Sequence, residues 1–214
     1  MTTGAIGRFI TLEGIEGAGK STIARELATE LTRRGLSMQL TREPGGTPLA
    51  EQLRALLLAH AAEAVTPAAE LLLMFAARSL HVENLIRPAL ARGVWVICDR
   101  FTDATRAYQG AGRGMDAALI ESLAIAVHGN LQPERTLLLD VPVDVGLARA
   151  RARGTHADRF EEETRAFFER VRRRYLALAA LEPRRFRVID ASVAPSQVLD
   201  QSLMALDDLL DNLI

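Results

Sequence analysis

Lys20 is the only lysine among 214 residues; every other member of the 26 Lys+Arg side chains is arginine. It lies in Gly14-Ile15-Glu16-Gly17-Ala18-Gly19-Lys20-Ser21, an octet of the form G-x-x-x-x-G-K-[ST]. Such a loop does phosphate chemistry. Its glycines let backbone N–H groups converge on anionic oxygens. A compact ammonium on a flexible stem fits a loop curled round two phosphates, where a broad guanidinium fork does not. Lys20 is placed to reach the outer phosphates of a nucleoside triphosphate, and the Ser21 hydroxyl to ligate Mg2+.

A second constellation is Asp99-Arg100, which ends the apolar run Val94-Trp95-Val96-Ile97-Cys98. An acid followed by a guanidinium at a strand exit can divide two tasks. Asp99 orients the metal ion or its water, and Arg100 grips a phosphate with two parallel N–H donors.

These residues need elements to hold them. Residues 8–13 read as a short buried strand before the glycine loop. Ile23, Ala24, Leu27, Ala28 and Leu31 then recur at helical spacing up to a stop at Gly35. Further strand-like runs fall at 37–42, 94–99, 136–141 and 186–190. Helical patterns lie between them at about 47–59, 67–92, 116–128, 142–153, 160–180 and 195–213. Alternation of this kind predicts a three-layer α/β fold: a mainly parallel five-stranded sheet with helices on both faces. Ligands in such folds sit at the carboxyl ends of the strands, where the glycine loop, Thr41–Thr47 and Asp99-Arg100 all fall.

Bulk properties narrow the functional classes. A net charge of −1 gives no general attraction to nucleic acid or an anionic membrane. The basic residues of 160–180 alternate with Glu161, Glu162, Glu163 and Glu169, which reads as a solvated face. One cysteine, Cys98, rules out an internal disulfide framework and suits a reducing compartment. The scattered His60, His81, His128 and His156 do not form a ligand cluster. No apolar run reaches membrane-spanning length and residues 1–8 do not resemble a signal peptide, so the expected location is the cytoplasm. Without an internal repeat or linker, residues 1–214 are expected to form a single domain.

Taken in order, the segments resemble the thymidylate kinases, specifically the bacterial ones. The resemblance is carried by residues 12–22 (Leu-Glu-Gly-Ile-Glu-Gly-Ala-Gly-Lys-Ser-Thr) and by Thr41-Arg42-Glu43-Pro44-Gly45-Gly46-Thr47. Phe75-Ala76-Ala77-Arg78, Asp99-Arg100-Phe101, Ala107-Tyr108-Gln109-Gly110 and Asp158-Arg159-Phe160-Glu161 complete it. It runs from about residue 8 to the last helix. The phosphate loop is generic to many NTPases; the Arg-Glu-Pro-Gly-Gly and Ala-Tyr-Gln-Gly segments are far more specific.

The resemblance implies the P-loop NTP hydrolase fold and transfer of the γ-phosphoryl group of ATP to dTMP with Mg2+. It implies an ATP site at Gly14, Ile15, Glu16, Gly17, Ala18, Gly19, Lys20, Ser21 and Thr22, and metal ligation by Ser21 and Asp99. It implies a dTMP site at Glu43, Pro44, Arg54, Met74, Phe75, Arg78, Arg100, Thr105, Tyr108 and Gln109. In that site Arg54 and Arg100 clamp the phosphate, Arg78 and Gln109 meet the base, and Thr105 and Tyr108 lie beside base and sugar. Glu16 approaches the acceptor's sugar hydroxyl and phosphate. Met74 stands four residues before Arg78, where the family places an aromatic, so either Met74 or its neighbour Phe75 covers the base. The phosphate loop contains no arginine, which assigns the auxiliary catalytic cation to a lid at about 149–160, Arg153 first and Arg149 second. Family members are homodimers, and an isologous interface is expected.

Two rivals remain at this stage. A kinase for another acceptor would also carry Asp-Arg after a strand, although Arg78 with Gln109 favours a pyrimidine 2,4-dione. A guanine-nucleotide switch would need Asn-Lys-x-Asp, which a chain whose one lysine is Lys20 cannot supply.

Overall fold

The computed structural model describes residues 7–59, 63–152, 159–160 and 162–210. Five parallel strands form one sheet: β1 (Phe9–Glu13), β2 (Met38–Arg42), β3 (Trp95–Asp99), β4 (Arg135–Asp140) and β5 (Phe186–Asp190), in the spatial order β2-β3-β1-β4-β5. β1 is buried at every position. Its alternating side chains supply two cores, with Ile10 and Leu12 on one face and Phe9 on the other. Thr11 is accommodated among them by a hydrogen bond between its hydroxyl and that of Thr136, 2.9 Å away.

The larger core lies between the sheet, α1 (Lys20–Arg33) and α8 (Arg165–Leu181). Ile23, Leu27 and Leu31 of α1 share one helical stripe against β1 and β3, and Phe167, Phe168, Val171 and Tyr175 do the same from α8. On the opposite face, Val82, Ile86 and Ala89 cover Phe9, Val96 and Cys98. Further from the sheet, α3 (Pro67–His81) packs on α6 (Ala117–His128) through Leu71, Phe75, Ile120 and Ala124.

The remaining helices are α2 (Pro48–Leu58), α4 (Arg87–Ala91), α5 (Thr102–Thr105), α7 (Val143–Ala152), α9 (Pro195–Met204) and α10 (Asp207–Leu210). Four helical stretches depart from the sequence reading. The predicted helix 67–92 runs from α3 to α4 through a π-helical turn, Val82–Ile86. Pro88 explains it, since proline donates no N–H and its ring collides with the carbonyl one turn back.

The helix expected from 160 begins at Arg165 instead, because the Thr164 hydroxyl accepts from the Phe167 N–H (3.2 Å) and fixes the start. The stretch 195–213 divides after Met204. A helical segment absent from the sequence reading follows β3: α5 continues into a π-helix, Arg106–Gly112. Its glycines and β-branched residues are weak helix formers. Packing against α8 holds it, so tightly that a Cβ at Gly112 would lie 2.5 Å from the Phe167 ring.

Candidate active site

The strand exits converge on one cavity of about 360 Å³. Its floor is the glycine loop. Gly19 caps α1 from a left-handed backbone (φ 91°) and offers no side chain to the helix. The first-turn amides of Lys20 and Ser21 have no intrahelical acceptor, and they line the cavity at the positive end of the helix dipole. Gly17 also has a positive φ (72°), and a Cβ there would sit 1.9 Å from the Gly146 carbonyl oxygen. Only glycine lets α7 cross the loop this closely. Ile15 and Ala18 turn into the core, and Gly14 presents its carbonyl to Arg100.

Lys20 is buried, with Nζ donating to the Ile15 carbonyl at 2.9 Å. Burial, reinforced by the charge of Arg100, lowers its pKa to about 8, with Asp99, Glu16 and Glu13 pulling the other way. The Ser21 hydroxyl donates to Asp99 Oδ2 at 2.6 Å. Strand register brings this pair together: Leu12, one residue before the end of β1, lies opposite Asp99 at the end of β3. A hydroxyl and a carboxylate oxygen beside a phosphate loop are hard ligands of the kind Mg2+ takes singly, keeping waters and phosphate oxygens for its other positions.

Arg100 holds a left-handed backbone conformation (φ 74°), rare for a non-glycine residue and common at sites over-determined by their surroundings. Its Nη1 donates to the Gly14 carbonyl (3.0 Å) and Tyr175 Oη (3.3 Å). Its Nη2 donates to Glu16 Oε1 (2.8 Å) and Tyr108 Oη (2.9 Å). The guanidinium also covers the Tyr108 ring at 4.6 Å. Tyr108 donates onward to Glu16 Oε2 (2.6 Å), and Tyr175 to Glu13 Oε2 (2.7 Å). Glu13 Oε1 receives the Phe101 N–H at 2.8 Å. Burial and the nearby Asp103 raise the Glu13 pKa to about 8, against the pull of Arg100 and its two hydrogen-bond donors. Burial would lower the Arg100 pKa, yet the surrounding Tyr108, Glu16, Tyr175 and Asp99 raise it, so the fork stays charged.

Arg78 projects from α3 into the far end of the cavity. Nε donates to Glu43 Oε2 (2.7 Å), and Nη2 to the Phe101 carbonyl (3.2 Å) and Thr105 Oγ1 (3.0 Å). The guanidinium lies between the Phe75 and Phe101 rings, at 4.9 and 5.3 Å. Nη1 is buried with no hydrogen-bond partner among the described residues. Burial pushes Glu43 upward, but Arg78 and His81 outweigh it and hold the carboxyl below the usual range. His81 in turn meets Thr41 Oγ1 at 2.7 Å, which ties the Glu43-Pro44 loop to α3.

The predicted residues gather with few exceptions. Glu16, Gly17, Gly19, Lys20, Ser21, Thr22, Glu43, Pro44, Arg54, Met74, Arg78, Asp99, Arg100, Thr105, Tyr108, Gln109 and Arg149 all line the cavity. Arg54 donates to the Pro44 carbonyl at 2.9 Å. Met74 borders the cavity, whereas Phe75, one residue on, packs between Arg78 and the α3–α6 core. Arg149 also donates to the carbonyls of Ala191 (2.6 Å) and Ser192 (3.3 Å). Arg153, the preferred lid arginine, lies outside the described residues, as do 154–158 and Glu161.

Four residues escaped the sequence reading: Glu13, Glu70, Phe160 and Tyr175. Phe160 forms part of the cavity wall, Tyr175 accepts from Arg100, Glu13 accepts in turn from Tyr175, and Glu70 accepts from Gln109. Glu70 was findable. It interrupts an apolar run and stands at i, i+4, i+8 with Met74 and Arg78, on one face of α3. Glu13 and Tyr175 had no local signal, since 162 positions separate them.

Comparison with known proteins gives one answer. A family model described as thymidylate kinase matches residues 12–201. The chain is 55% identical over 208 residues to a thymidylate kinase of Pseudomonas syringae, covering 97% of each chain. It is 55% identical over 204 residues to that of Alkalilimnicola ehrlichii, covering 95% of this chain and 92% of the relative. Among solved structures, a thymidylate kinase from Ehrlichia chaffeensis superposes with a TM-score of 0.75 at 34% identity, over 94% of this chain and 98% of that one.

Proposed function

The chain belongs to the thymidylate kinase family, an enzyme transferring the γ-phosphoryl group of ATP to dTMP to give dTDP and ADP, and we propose how its cavity divides that work. ATP phosphates lie on the loop 14–22, against the amides at the start of α1 and Lys20. Ser21 and Asp99, 2.6 Å apart, would hold Mg2+, which would supply positive charge to the triphosphate. Arg100 and Arg54 grip the dTMP phosphate, and Glu16, bonded to both Arg100 and Tyr108, faces the acceptor's sugar. Met74 covers the base and Phe75 braces Arg78. The segment at about 149–160 is the lid of a single domain, and its arginines, Arg153 or Arg149, meet charge developing on the transferred group.

One observation carries this reading: the Arg78 guanidinium, which can only donate, lines a cavity that also presents Gln109. The O4 carbonyl of thymine gives it an acceptor, and the amino group of cytosine sets donor against donor. An ADP-release assay over dTMP, dUMP, dCMP, UMP, AMP and GMP is expected to show the fastest turnover with dTMP. Preference for dCMP would refute the assignment of Arg78 and Gln109.

The assembly proposed is a homodimer, in the cytoplasm, where ATP is available and Cys98 stays a thiol. Leu72 and Ile125, 58% and 71% exposed on the paired helices α3 and α6, supply an apolar face for a second copy. Sedimentation equilibrium is expected at twice the 23.4 kDa chain mass; a monomer would exclude that face as an interface. No described helix is long and apolar enough to cross a membrane.

A further inference from the structure

Glu70 is a buried carboxylate that the reaction chemistry leaves without a task. It sits on α3, 1% exposed at its side chain, beneath the wall of the cavity that carries Gln109. The Gln109 Nε2 donates to Glu70 Oε1 at 2.7 Å. Arg113 approaches the same oxygen at 3.3 Å, and Arg159 pairs with Oε2 at 2.7 Å. Each oxygen of Glu70 thus faces a guanidinium. A carboxylate offers no N–H or O–H, so of the two ends of the Gln109 amide only the NH2 can face it. The opposite end, Oε1, has no hydrogen-bond partner among the described residues, and Gln109 borders the cavity.

From this we infer that Glu70 is a specificity-determining positioning residue: by fixing the Gln109 amide it presents an acceptor to the base and thereby selects thymine over cytosine. The inference rests on the proposal that Gln109 meets the acceptor base. Thymine carries a donor at N3–H, and cytosine an unprotonated N3 that accepts. With Oε1 outward, thymine is satisfied and cytosine sets two acceptors against each other. Turning the amide round reverses the preference, and Glu70 prevents that by losing its own hydrogen bond if the turn occurs. Arg78 reads the neighbouring O4 position independently, so the two contacts discriminate in series.

Glu70→Gln is the test, because a carboxamide at residue 70 can pair with either end of Gln109. The ratio of kcat/KM for dTMP to that for dCMP is expected to fall at least about tenfold. A loss of both activities in proportion, with the ratio unchanged, would overturn the inference, since a purely structural role moves both alike. Arg159→Gln removes an ion pair from Glu70 but leaves the carboxylate against Gln109, so it should lower the unfolding midpoint and preserve the ratio. An equal collapse of the ratio in that variant would also defeat the idea.

Should Glu70→Gln fail to fold, the unmodified enzyme gives the same information. With 15N-glutamine labelling, the Gln109 side-chain NH2, assigned by its disappearance in Gln109→Met, should be protected from exchange and nearly unmoved when dTMP binds. An NH2 that shifts strongly on binding would place it against the base and contradict the inference. Gln109→Met separates the two claims. If it leaves dTMP KM and the ratio unchanged, the base is not read there and the underlying site assignment fails. If it collapses the ratio and Glu70→Gln does not, the role of Glu70 alone is lost.

Discussion

Lys20→Met is expected to lower kcat on the order of 10²–10³-fold, the size of effect seen when one preorganised charge stabiliser is removed, with the fold intact. The fold tolerates the change because the ammonium is a burden before nucleotide arrives. Its pKa of about 8 lies below the ordinary 10.5, so at pH 7 the folded state holds a charge that burial disfavours. Methionine fills the same volume without it, and the urea midpoint should hold steady or rise. Phosphate oxygens reverse the balance by favouring the charged form. Nucleotide binding therefore raises the Lys20 pKa and takes up a proton above about pH 8, and ATP affinity weakens as pH climbs through that region. Calorimetry in two buffers of different ionisation enthalpy reads the uptake directly. It should be present in the parent enzyme and missing in Lys20→Met. A fully active variant, or equal proton uptake in both, would remove Lys20 from the phosphate site.

Arg100→Lys is expected to cost about 10²-fold or more in kcat/KM for dTMP while changing the Kd of ATP little. Lysine keeps the charge, but it cannot reach the Gly14 carbonyl, Glu16, Tyr108 and Tyr175 at once, as the guanidinium does. Glu16 and Tyr108 then lose their common anchor, and with it the orientation that faces the acceptor. Stability should fall as well, since Glu16 and the hydroxyls around Arg100 lose buried donors. A structural cause alone would weaken ATP and dTMP together. Initial rates with dTMP varied at saturating ATP, alongside ATP binding measured separately, distinguish the cases. Equal losses for the two substrates would point to general loosening and take Arg100 out of the acceptor site.

Much of this site was legible in the sequence because its signals are local. Gly14 to Ser21 encodes a loop by spacing alone, and the apolar stripe of Ile23, Leu27 and Leu31 declares the helix that follows it. Five apolar runs alternating with helical periodicity fixed the number of strands and their parallel sense. Asp99-Arg100 stood out as charge at the end of an apolar run. Arg54, Arg78, Thr105, Tyr108 and Gln109 came only from family resemblance, since an arginine in a helix has no sequence mark of facing a cavity.

Other features depended on residues far apart in the chain. Met74 and Phe75 differ by one step of about 100°. Only the packing of Phe75 against Ile120 and Ala124 turns Met74 to the cavity. The π-helix carrying Tyr108 and Gln109 defies local propensity and exists because α8 packs against it. Tyr175 meets Arg100 and is itself held by Glu13 through a contact across 162 positions, which no window of sequence contains. The amino-acid order determined which groups could bind phosphate and on which elements they would ride. Strand register and helix packing decided which of them meet, because hydrogen bonds a few ångströms long depend on placements that short-range periodicity does not specify.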